Sequence, residues 1–170
     1  WVGPYLSEVY GLTPISRCNV IFLMAAGIGL GALAYGPLEG WLRRRKSLAL
    51  AGSAIAVAAL GALAVLPTPS IEVATVLLCV FGFFAMTYGT IMAHVRLFLP
   101  DELLGRGMTF ANFLCMSGAS VLQVCSGILV DRLKLHGLDS VELFSVLHIV
   151  LAGLLLASSA IYAFSREKAN

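Results

Sequence analysis

The stretch Gly36-Pro37-Leu38-Glu39-Gly40-Trp41-Leu42-Arg43-Arg44-Arg45-Lys46 decides how this chain is read, because two long uncharged runs meet there at four consecutive cations. Cations close to the ends of apolar spans resist transfer across a bilayer, so such a block marks a cytoplasmic loop. The 170 residues around it are 59% hydrophobic and 12% charged, against about 25% charged in soluble domains. A chain of this composition cannot solvate itself and must sit in lipid. Its net charge of +2 is small and local, which argues against a nucleic-acid partner.

Working outward, five uncharged runs follow one another: 18–38, 47–66, 73–95, 107–130 and 143–164. Each has roughly the 20 residues that a spanning helix needs. None carries Asp, Glu, Lys or Arg, and a charge at the bilayer centre costs at least about 2.5–3.5 kcal/mol. The reading is therefore an all-α membrane protein, a polytopic bundle of five complete transmembrane helices. Residues 1–16 read as the end of a preceding helix and an external loop, and 17–170 as the bundle. Start signals agree: Thr13-Pro14, Pro67 to Ser70, Pro100-Asp101, and Asp139 with Glu142 at capping-box spacing.

Charge counting orients the bundle. With Arg43 to Lys46 inside, alternation places Arg96, Arg106, Arg166 and Lys168 there too and leaves Arg17, Arg132 and Lys134 outside, eight cations against three. The C-terminus is expected in the cytoplasm. The chain begins at Trp1 without a visible signal peptide and is expected to be a piece of something longer. Cys18, Cys79, Cys115 and Cys125 are widely spaced and read as inert packing residues. No phosphate loop, zinc motif or nucleophile elbow occurs, and no cofactor is expected.

Polar and aromatic faces supply the candidates for a site. Asn112, Met116, Ala119, Gln123 and Ser126 recur at helical spacing and share one face of the fourth run. Amides in lipid require partners, so this face points into protein or water; structural bonding and substrate contact are both open. Phe81, Phe84, Tyr88 and Met92 line one face of the third run and, with Trp1 and Tyr5, could wall an aromatic cavity or simply pack. Glu72 and His94 are the candidate proton carriers; helix-end and interfacial roles compete. His148 reads as a packed neutral histidine. The ends of the first and fourth runs also echo one another, Gly36-Pro37-Leu38-Glu39 against Gly127-Ile128-Leu129-Val130-Asp131-Arg132 on the opposite side. An inverted three-helix repeat leaves such a trace, and so does chance.

Several of these pieces resemble the major facilitator superfamily of secondary transporters. Trp1 to Leu6 followed by Tyr10 to Pro14 is similar to the end of that family's seventh helix and its loop. Gly36 to Lys46 resembles its loop pattern Gly-x-x-x-Asp-Arg-x-Gly-Arg-Arg/Lys, with Glu39 on the Asp, Arg43 and Arg44 on the closing pair, and Gly40 and Leu42 departing from it. Pro100 to Gly107, with Asn112 beyond, resembles the entry into helix eleven.

The resemblance implies the C-terminal half of a twelve-helix transporter, from the end of helix seven through helix twelve, in a bacterial inner membrane. It implies a rocker switch moving a small organic solute against a missing N-terminal half, with Gly36, Glu39, Arg43 and Arg44 as a conformational-switch loop. Orientation and lipid phosphate contact are the plainer use of those cations. It also implies that helices seven and ten line the cavity, eight and eleven face the other half, and nine and twelve lie outside, so that 47–66 should face lipid. Tyr5, Phe84, Tyr88, Met92, Asn112, Met116 and Gln123 are then the cavity candidates. A transport-inactive scaffold or sensor is the alternative, and a membrane-embedded enzyme a weaker one, since no acid lies inside any run.

Overall fold

The computed structural model describes residues 1–42, 45–66 and 68–165, with Leu42 in its backbone alone. Arg43 and Arg44 of the switch loop, Pro67, and Arg166 and Lys168 of the charge count lie outside the described residues. The helices are α1 (Val2–Glu8), α2 (Pro14–Leu42), α3 (Arg45–Val65), α4 (Ile71–Phe84), α5 (Tyr88–Arg96), α6 (Leu104–Leu135) and α7 (Ser140–Ala163), with a single 3-10 turn at Asp101–Leu103. Among the described residues no strand is present. Among the described residues, five stretches are long and apolar enough to cross a membrane: α2, α3, α4 with α5, α6 with its leading turn, and α7.

Local chemistry sets the helix starts. Pro14 opens α2 behind Thr13, whose hydroxyl accepts from the Ser16 amide at 3.4 Å. Ser70 caps α4 and Asp139 caps α7, the latter accepting from the Glu142 amide at 2.8 Å. Gly11 and Gly137 take φ of 62° and 78°, which ends α1 and α6 in the left-handed turn that glycine adopts without a Cβ clash.

One span departs from the continuous helix that its apolar run suggests. It is interrupted at Ala85–Thr87, between α4 and α5. The neighbourhood Gly82-Phe83-Phe84-Ala85-Met86-Thr87-Tyr88-Gly89-Thr90 combines two glycines, two β-branched threonines and three aromatics, all weak helix formers. No proline is involved.

Packing is uneven. α3 packs against α7, α4 and α5, burying Ala49, Gly52, Ser53, Ala56, Ala59, Leu60, Leu63 and Ala64. Within 47–66, Ala51, Ala54, Ile55 and Ala58 form an exposed face, whereas Gly52, Ala56 and Ala59 are in the interior. α2 lies on α4 through glycines: a Cβ on Gly31 would sit 2.3 Å from the Phe83 carbonyl oxygen, and one on Gly27 3.0 Å from that of Cys79. The close approach makes use of dispersion between backbones, which is what drives helix association in lipid. α6 is the least covered, with Ser126 and Val130 its buried residues. Cys18 and Cys125 are exposed and not packed.

The apolar core lies at the Thr13 end of the bundle, where Tyr5 and Leu6 of α1 meet Val20, Leu63, Leu78, Val130, Phe144 and Leu147. The opposite end is held by polar contacts, including Lys46 Nζ to the Ser165 carbonyl at 2.7 Å.

Candidate functional site

At that polar end, α2 and α5 part to leave a half-open cavity of about 320 Å³. From α2 it is lined by Ala32, Tyr35, Gly36 and Glu39. From the break and α5 it is lined by Met86, Tyr88, Gly89 and Thr90. The break in the third span supplies its back wall. Where α4 stops, the Phe84 carbonyl is released from its helix, and the Tyr35 hydroxyl donates to it at 3.0 Å. Buried polar backbone in lipid must be paired, and a side chain from the next helix does so here. Gly52 of α3 makes the room, because a Cβ there would fall 1.9 Å from the Tyr35 hydroxyl.

Glu39 forms an ion pair with Arg45, and the Arg45 Nη1 donates to the Ala93 carbonyl at 3.2 Å. The first side chain is on α2, the second on α3 and the acceptor on α5, so one arginine ties three helices beside the cavity. Its charged hydrogen bonds are of the stronger kind. Across the opening, the Tyr88 hydroxyl donates to Asn112 Oδ1 of α6 at 2.6 Å. Deeper on α5, His94 Nδ1 lies 2.7 Å from the Tyr162 hydroxyl of α7. Thr90 is 2% exposed, and its hydroxyl has no hydrogen-bond partner within the described residues.

The candidates read from the sequence thus separate into groups. Gly36 and Glu39, taken for a switch loop, line the same cavity as Tyr88, which is joined to Asn112. Met116 and Gln123 lie exposed on α6. Phe84 contributes its carbonyl at the break, its ring lying 4.9 Å from that of Phe83, and Met92 is buried. Tyr5 is 4% exposed and packs edge-on against Tyr10, Phe144 and His148 in the apolar core. Glu72 is exposed in the first turn of α4 and His94 is buried near the end of α5, about 30 Å apart along the span at 1.5 Å per residue. The structure does not bring these two together.

Tyr35, Arg45 and Thr90 escaped the sequence reading. Tyr35 stands beside Gly36 as a phenol in an otherwise apolar stretch, and Thr87, Tyr88 and Thr90 cluster hydroxyls in mid-run; both were available signals. Arg45 was hidden in a block of four cations. A larger hollow of about 490 Å³ runs past Gly105, Arg106, Thr109, Phe110 and Phe113, but one helix alone lines it, which makes it an open flank. Among the described residues no group of three His, Cys, Asp or Glu could hold a metal ion.

Among the described residues, five helices long and apolar enough to cross a membrane, one of them broken beside a cavity, define a polytopic integral membrane protein. The Major Facilitator Superfamily model matches residues 1–123. The chain belongs to that family, whose members are membrane transporters that bind small solutes. No curated protein matches it.

Proposed function

We propose that this chain is the C-terminal half of a secondary active transporter that carries a small organic solute by alternating access. Residues 1–16 then end helix seven and its external loop, and the five spans are helices eight to twelve. The missing N-terminal half would close the other side of the site, in a bacterial inner membrane with the C-terminus cytoplasmic.

The observation that carries this reading is the cavity between α2 and α5. A discontinuous span beside a pocket that carries a few polar groups, with its freed carbonyl held by a neighbour, is the backbone arrangement that membrane transporters tolerate where they bind cargo. The exposed face of α6 from Asn112 through Met116 to Gln123 suits a wall that the other half covers. Gly36, Glu39 and the cations after it act as the switch, with Arg45 linking the spans that must move together. Proton coupling, where it operates, uses Glu72 or His94 singly, or a carboxylate of the other half.

Uptake by proteoliposomes containing the full natural chain, compared with empty vesicles over a panel of labelled organic solutes, tests the reading. Accumulation of at least one solute is expected. Full incorporation without uptake of any, together with no further spans encoded upstream, would leave the scaffold reading in its place.

A further inference from the structure

We propose that the cavity between α2 and α5 is a subsite for a small organic ammonium solute. Three of its polar groups offer acceptors alone. Glu39 brings a carboxylate, Tyr88 a phenol oxygen whose proton is already committed to Asn112, and Tyr35 a phenol whose proton is committed to the Phe84 carbonyl. Thr90 adds a buried hydroxyl with no partner among the described residues. Among the described residues, no lysine or arginine lines the cavity. Arg45 contacts Glu39 through Oε1, and its Nη1 donates to the Ala93 carbonyl.

A mostly apolar wall that carries a few acceptors suits a guest whose polar end is all donor. An ammonium offers three N–H groups and no acceptor, and tyrosine faces add cation–π attraction when water is excluded. A buried hydroxyl left unpaired is a cost to the empty protein, and such a cost is retained where a ligand relieves it. An anion would meet Glu39, and a neutral alcohol would bring the carboxylate no charged donor beyond Arg45.

The subsite rests on the transporter reading for its purpose, but binding is measured without flux. The full natural chain in lipid nanodiscs is titrated calorimetrically with phenethylammonium, 2-phenylethanol and phenylacetate. The ammonium is expected to bind about tenfold or more tighter than the alcohol, a gap of the size of one charge-assisted hydrogen bond, with the acid weakest. Thr90→Val should weaken the ammonium about tenfold while raising the melting temperature of the empty protein. Glu39→Gln should abolish the preference for ammonium over alcohol. Because Glu39→Gln also loosens the Arg45 contact, the Thr90 variant decides. Equal binding of ammonium and alcohol, or ammonium binding unchanged by Thr90→Val, overturns the proposal. Ammonium that binds but is not carried leaves the subsite standing and contradicts transport of that solute. Uptake of another solute with no ammonium binding overturns the subsite alone.

Discussion

The Tyr35 hydroxyl on α2 donates to the Phe84 carbonyl at the end of α4, 3.0 Å away, and so closes the break in the third span. The bond joins two helices at the point where one of them gives up its own ladder. Tyr35→Phe keeps the ring and orphans the carbonyl. It should lower stability by about 1 kcal/mol, the scale of interhelical hydrogen bonds in membranes and of an unpaired polar group, read as a lower midpoint in detergent unfolding.

Glycines around that bond are expected to be intolerant for geometric reasons. Gly52→Ala places a Cβ 1.9 Å from the Tyr35 hydroxyl, and Gly31→Ala places one 2.3 Å from the Phe83 carbonyl oxygen. Each should cost about 1–3 kcal/mol as overpacking. Gly29→Ala, two residues away with nothing within 4 Å, should stay within about 0.5 kcal/mol. Thermal midpoints of the three variants side by side check the contrast.

What the sequence made legible follows from what lipid demands. Uncharged runs of spanning length announce α2, α3, α6 and α7 because a charge at mid-bilayer is costly. The break at Ala85–Thr87 was not legible, since Gly, Thr and aromatics also occur in unbroken spans and only the partner hydroxyl of Tyr35 shows that the released carbonyl is provided for. Register between helices was equally hidden. Nothing in the spacing of Glu39 shows that it meets Arg45, or that Gly36 faces Tyr88 across a cavity. Tyr5 reads as a cavity wall by its neighbours in sequence, yet Phe144 and His148, more than a hundred residues later, enclose it.

Arg45 carries the tie among α2, α3 and α5. Arg45→Ala should leave the Glu39 carboxylate half-buried and uncompensated, costing about 1–2 kcal/mol, between the exposed and fully buried limits for an ion pair. In a double-mutant cycle with Glu39→Gln the two losses should not add. Additive losses would mean that the pair contributes no coupling.

His94 and Tyr162 link α5 to α7 at 2.7 Å. Tyr162→Phe should cost about 0.6–1 kcal/mol and speed hydrogen exchange at the end of α7, while leaving the Thr13 end unchanged. Exchange that rises equally at both ends would argue for a general loss of packing instead.

Counterflow tests the central claim most directly. Proteoliposomes holding the full natural chain are preloaded with an unlabelled solute found in the uptake panel, then diluted into a trace of the same solute labelled. A carrier that exposes one site to each side in turn must accumulate label transiently above the outside concentration. That overshoot is expected, and Gly31→Ala and Glu39→Gln should each reduce it. Label that only equilibrates, with no overshoot at any preload, would contradict alternating access through this bundle.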